Sequence, residues 1–98
     1  MEVRFNDPDL DRLERDRQYT GGLEPALVKA YRKRLNFIRQ AQDERDLRAW
    51  KSLRFEKLQG NRQHQHSIRL NDQWRLVLEL EGEGPNKKLV IVSIEDYH

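Results

Sequence analysis

An apolar β run, Leu89-Val90-Ile91-Val92-Ser93-Ile94, leads directly into Glu95-Asp96-Tyr97-His98. A carboxylate, a phenol and an imidazole in succession, carried by a strand that must be tied into a sheet, can move protons from a rigid support. Histidine titrates near pH 6.5 when unperturbed, so His98 is the best general acid or base in the set. Upstream, Arg69 and Arg75 offer forked donors that match a phosphate, and Lys57 offers a point charge or a proton-transfer group. Together they suit cleavage of RNA through its own 2′-hydroxyl, a reaction that needs no cofactor. It needs a base near that hydroxyl, an acid at the leaving 5′-oxygen, and cations on the phosphorane. In such a site Tyr97 stacks on a base or bonds a phosphate, and Asp96 orients His98. Each residue also has a plainer use: Tyr97 as half core, Asp96 as the acceptor of a backbone N–H, His98 as a frayed end.

Other chemistry is less well supplied. His64 and His66 share a strand face if the strand reaches that far, but no third ligand has suitable spacing, so no metal site is expected. Phosphate-cradling glycine loops and nucleophile motifs are lacking.

The 98 residues are expected to form one domain spanning 1–98. Apolar residues make up 36% and charged residues 37%, so the core must be thin and efficiently used. Without cysteine there is no disulfide frame and no thiolate metal site. No apolar stretch approaches the roughly 20 residues of a membrane span. Met1 to Phe5 lacks the features of a secretory signal, and a soluble, cytoplasmic protein with no membrane partner is expected. The net charge is only +2, but residues 54–78 carry five basic side chains against two acidic ones, and residues 79–96 two against five. That imbalance favours a local anion site over a coat for a bulk polyanion, although charge runs also serve simply as solvated faces.

The elements that must position these groups follow from periodicity. Val3 to Phe5 reads as a short strand. Asp7-Pro8 is an N-cap followed by proline at the first helical position, predicting a helix from Pro8 to about Asp16 with Leu10 and Leu13 inward. Gly21-Gly22 breaks it. Pro25 starts a longer helix to about Ala41, with Leu27, Val28, Tyr31, Leu35 and Ile38 on one face and Arg32, Lys33, Arg34 and Arg39 mostly on the other. Asp43 to Trp50 is one more helical turn or an irregular connection. Phe55 to Leu58 is a short edge strand ending at Gly60, followed by strands over His64–Leu70, Trp74–Leu80 and Leu89–Ile94, the last apolar on both faces and so central. The result is an α+β domain, with N-terminal helices packed on one face of a small antiparallel sheet.

Register adds a site. A two-residue loop at Asn71-Asp72 would set Ile68 opposite Arg75 and mix the faces. A three-residue loop, Asn71 to Gln73, sets Leu70 opposite Trp74, Ile68 opposite Leu76 and Arg69 opposite Arg75. Like charges directly across a strand pair are destabilising. An anion between them removes that cost, so the sheet face away from the helices is the candidate phosphate site. The alternative is that both arginines splay into water or pair with Glu79.

Leu58-Gln59-Gly60-Asn61-Arg62, the block Ser67-Ile68-Arg69-Leu70-Asn71-Asp72-Gln73-Trp74-Arg75-Leu76, and the final Asp96-Tyr97-His98 resemble the HigB toxins of the RelE/ParE toxin–antitoxin superfamily. The similarity runs over essentially the whole chain. It implies a RelE-like fold and a ribosome-dependent endoribonuclease that cleaves mRNA in the ribosomal A site without a metal or cofactor. It also implies a cognate HigA-like helix-turn-helix antitoxin, and contact with operator DNA only through the toxin–antitoxin complex. Carried onto this chain, Arg75 matches the phosphate-stabilising arginine, and Asp96, Tyr97 and His98 match the C-terminal catalytic group. Arg69, Arg62, Arg54 and Gln59 are the expected RNA contacts. The family often has lysine where this chain has Gln59; Lys57, on the same side by strand alternation, is the expected substitute. The competing functions are a ParE-like toxin that binds gyrase without nuclease chemistry, and a non-catalytic module that only docks on an antitoxin.

Overall fold

A computed structural model of the chain describes residues 1–96. In chain order it forms β1 (Glu2–Phe5), α1 (Pro8–Arg15), α2 (Pro25–Gln40), α3 (Glu44–Ala49), β2 (Glu56–Lys57), β3 (Gln65–Arg69), β4 (Trp74–Glu81) and β5 (Lys88–Asp96). Short 3-10 turns sit at Lys51–Leu53, Gly60–Arg62 and Gly84–Asn86. Tyr97 and His98 lie outside the described residues, and the roles expected of them rest on the sequence.

The helix starts are encoded locally. Asp7 accepts a hydrogen bond from the Asp9 N–H at 2.8 Å with Pro8 following it, and Asp43 caps α3 through the Arg45 N–H at 2.8 Å. Proline also opens α2, without a side-chain cap. Leu10 and Leu13 of α1 and Leu27, Val28, Tyr31, Leu35 and Ile38 of α2 form one core with Ile68, Leu76, Leu78, Leu89 and Ile91 of the sheet. Each such burial is worth about 1.5–3 kcal/mol. Exposed ion pairs such as Arg4–Glu81 contribute about 1 kcal/mol at most, so the apolar layer fixes the fold. The basic face of α2 makes specific bonds that periodicity alone does not indicate. Arg32 donates to the carbonyls of Leu13, Asp16 and Tyr19, closing the C-terminal end of α1, and Arg39 forms a two-pronged pair with Glu14.

The sheet order is β1-β5-β4-β3-β2. It is mixed rather than wholly antiparallel, because β1 pairs with β5 in parallel. The predicted three-residue loop is present. Leu70 N–H bonds Trp74 O, and Asn71 Oδ1 accepts from the N–H groups of Gln73 and Trp74, an Asx turn that locks the register. Ile68 faces Leu76 and Arg69 faces Arg75.

A bulge interrupts β5. Val77 pairs with Ser93 and Leu78 with Ile91, leaving Val92 without a counterpart. This explains why the run is apolar at both parities: Leu89 and Ile91 enter the core before the bulge and Ile94 after it. It also sets Glu95, instead of Ile94, opposite Arg75.

Candidate functional site: an arginine-lined cavity

Arg75 is a charged residue only 6% exposed. Burial of a guanidinium demands hydrogen bonds, and it has them. Its Nε donates to Ser67 Oγ at 3.0 Å, and its Nη2 donates to the carbonyls of Arg54 at 2.6 Å and Ser67 at 3.3 Å. Glu56 lies 3.9 Å from the same nitrogen. The Arg54 carbonyl reaches it because Arg54 takes a left-handed backbone conformation, φ 50° and ψ 56°, the one described non-glycine residue with positive φ. Such strain in a residue with a Cβ persists where surrounding contacts fix it.

Arg69 stands directly across from Arg75 and is ion-paired with Asp72, three residues on. Neither arginine pairs with Glu79, whose carboxylate instead accepts from Gln65 Nε2 at 2.8 Å and lies near His64. Arg54, Arg69, Asn71, Asp72 and Arg75 together line a cavity of about 230 Å³. Two segments distant in sequence thus converge there: the connection before β2, which carries Arg54, and the β3–β4 hairpin, which carries the other four. A fourth guanidinium backs the site from α2, where Arg34 Nε donates to the Arg69 carbonyl at 3.1 Å. Burial, and then the nearby Arg69 charge, lower the Arg34 pKa from its ordinary value.

The remaining expected RNA contacts, Arg62 and Gln59, and the expected catalytic residues Lys57 and Asp96 are placed elsewhere. Arg62 forms a two-pronged pair with Glu95 at 2.9 and 2.8 Å, tying the turn before β3 to the strand end beside Arg75. That bond is the main cause of a lowered Glu95 pKa and a raised Arg62 pKa. Lys57 pairs with His66 across β2 and β3, which puts it on the opposite sheet face from Ser67 and Arg75, and it does not line the cavity. Gln59 lies beyond the end of β2, exposed, so strand alternation from Lys57 does not extend to it as a ladder. Asp96 pairs with Trp74 and thus occupies the face opposite Arg75, where Gln73 Nε2 donates to it at 3.1 Å.

His64 and His66 do not share a face as the sequence suggested. The strand starts at Gln65, and His66 turns inward to stack on Phe55, ring centroids 4.7 Å apart. Its Nδ1 is buried without a hydrogen-bond partner among the described residues. No group of three or more metal-ligating side chains occurs among the described residues. No described helix is long and apolar enough to cross a membrane.

Sequence reasoning missed Ser67, Asn71, Asp72 and Arg34. Ser67 was accessible, since it alternates in phase with Arg69 and faces Arg75 diagonally. Arg34 lies one turn from the core positions Tyr31 and Ile38, at the edge of the apolar stripe where a long side chain can bend back to the sheet.

The architecture, three helices packed with a mostly antiparallel five-stranded sheet, is that of a RelE-like toxin. A YoeB/ParE toxin from Agrobacterium tumefaciens has the same fold, with a TM-score of 0.61 over 100% of both chains at 16% identity. Residues 3–98 match the family described as HigB-like toxin, a RelE-like toxin of the type II toxin–antitoxin system HigB, and the chain belongs to that family. It is therefore a toxin of a type II toxin–antitoxin pair, with an antitoxin as its partner. No curated protein matches the sequence.

Proposed function

We propose that this toxin is a ribosome-dependent mRNA endoribonuclease that works without a metal, with the scissile or an adjacent phosphate held in the arginine cavity. The observation that carries this reading is the convergence of Arg54, Arg69 and Arg75 on one cavity of about 230 Å³, with Arg75 fixed by three hydrogen bonds. A guanidinium oriented before the substrate arrives stabilises developing charge without reorganisation.

In this mechanism the RNA 2′-oxygen attacks phosphorus and loses its proton to a base. The phosphorane's charge rests on Arg75 and Arg69. The bond to the 5′-oxygen breaks as that oxygen takes a proton from an acid. The products are a 2′,3′-cyclic phosphate and a 5′-hydroxyl, with no other reactant consumed. His98 is the proposed proton-transfer residue, Tyr97 a base-stacking or phosphate contact, and Asp96 a positioning residue for His98 at the end of β5. Lys57, on the far side of the edge strand, and Gln59 and Arg62 beside it serve RNA running past that edge instead of the phosphate at Arg75. The cytoplasm, where ribosomes and mRNA are, is the proposed site of action, and a HigA-like helix-turn-helix protein the proposed antitoxin.

The test is growth arrest on induction, followed by mRNA cleavage with and without ribosomes. The native chain should arrest growth, and Arg75→Ala and His98→Ala should not. Undiminished toxicity in both variants, with inhibition of gyrase supercoiling by the purified chain, would replace this reading with a gyrase-binding one.

A further inference from the structure

We propose that the groove between α2 and α3 is the docking site of the antitoxin, and that it takes an acidic segment carrying one large apolar anchor side chain. This rests on membership of a type II toxin family and not on the nuclease reading. The groove, about 540 Å³, is lined by Phe37, Gln40, Ala41, Asp46, Ala49 and Trp50, and shares no lining residue with the arginine cavity. Trp50 is 41% exposed and is the one large apolar side chain exposed among the described residues. Its ring meets Phe37 edge-on, with centroids 4.3 Å apart and planes at 69°. A tryptophan left in water on a chain so poor in apolar residues marks an interaction surface, and Trp is the residue type most enriched among binding hot spots.

Charge identifies the occupant. Lys29 and Lys33 precede Phe37 at four-residue spacing on α2, so they extend the same helix stripe, and Lys51 follows Trp50; all three are exposed. None forms an ion pair with a described residue, whereas two of the three acids at α3 are engaged, Asp43 with Arg45 and Glu44 with Lys87 at 2.6 Å; the third, Asp46, accepts the Gln42 N–H at 2.8 Å, which leaves three lysines against one carboxylate. The rim is therefore positive around an apolar floor, complementary to a peptide with carboxylates flanking an aliphatic or aromatic side chain. A nucleic acid fits less well, because the floor of Phe37, Ala41, Ala49 and Trp50 is apolar and no guanidinium lines it.

The experiment titrates purified toxin with the antitoxin encoded alongside it, by calorimetry at two salt concentrations, and scores rescue of growth when both are expressed. Trp50→Glu should weaken binding by about tenfold or more and abolish rescue while leaving growth arrest by the toxin alone intact. Trp50→Phe should bind nearly as the native chain does. Lys33→Glu, an exposed change that leaves the floor intact, should weaken binding and flatten its salt dependence, which keeps the test open if Trp50→Glu does not fold. Native affinity and rescue in Lys33→Glu and in a folded Trp50→Glu would overturn the proposal. So would a folded Trp50→Glu that loses growth arrest yet still binds antitoxin, an outcome that would assign the groove to RNA or the ribosome.

Discussion

Arg69 and Arg75 face one another across the β3–β4 ladder, but they are held differently. Arg75 is buried and bound by Ser67 and the Arg54 carbonyl, while Arg69 is paired with Asp72 on an exposed turn. One guanidinium is fixed and the other is held by an exchangeable counter-ion. The like-charge pair persists because each member has its own acceptors, and a phosphate arriving between them would find one donor in place and one to be released.

Ser67 is the polar support of the fixed member. Ser67→Ala removes the acceptor of Arg75 Nε inside the protein, and a buried donor left unpaired costs about 1–3 kcal/mol. Thermal or denaturant unfolding should register that loss, together with lower toxicity at matched protein level. A variant as stable and as toxic as the native chain would show that Ser67 does not orient Arg75.

Arg54 supplies a backbone carbonyl to Arg75 and, in the proposed function, a cation to the ligand, and the two roles are separable. Arg54→Gly keeps the carbonyl, since glycine takes the left-handed conformation without penalty, and deletes the charge. Stability should be unchanged or raised by up to about 1 kcal/mol, while inorganic phosphate binds more weakly. Differential scanning calorimetry and a phosphate titration separate the two roles.

In the proposed phosphate site, Asp72, the ion-pair partner of Arg69, would compete with the ligand. Asp72→Asn should raise affinity for inorganic phosphate about two- to fivefold, the equivalent of releasing one exposed ion pair. Reduced affinity would mean that Asp72 instead helps to shape the cavity.

His66 should make stability depend on pH. Burial first, and then the charges of Arg48 and Lys57, hold its pKa below the ordinary 6.5. The unfolded chain therefore binds the proton more readily, so the histidine's contribution is complete above about pH 6.5 and declines as pH falls through the lowered folded value. His66→Phe keeps the stack on Phe55 and removes the titration. The native chain should lose melting temperature relative to this variant between pH 7 and pH 5, and parallel curves would contradict the assignment.

Much of this arrangement was legible in the sequence because period-2 alternation and turn length together fix register. The Asn71–Gln73 loop and the Arg69–Arg75 pairing follow from keeping Ile68, Leu76 and Leu78 on one face. The parallel pairing of β1 and the bulge at Val92 were not legible, since neither changes local composition. The bulge matters most: it reverses parity in β5, so Glu95 shares the face of Arg75 and Asp96 takes the other. Long side chains were the other gap. Arg32 and Arg34 have the same helical spacing as solvated residues, and only the third dimension gives them the carbonyls of α1 and of Arg69 to bond.

In the proposed function an oriented arginine cluster serves RNA cleavage by the 2′-hydroxyl on the ribosome. The most direct measurement is the chemistry of mRNA ends produced in a purified translation system by the native toxin and by Arg75→Ala. The native toxin should make cuts that require ribosomes and carry a 2′,3′-cyclic phosphate and a 5′-hydroxyl, absent with the variant. Intact mRNA with the native toxin, or equal cleavage by Arg75→Ala, would contradict it.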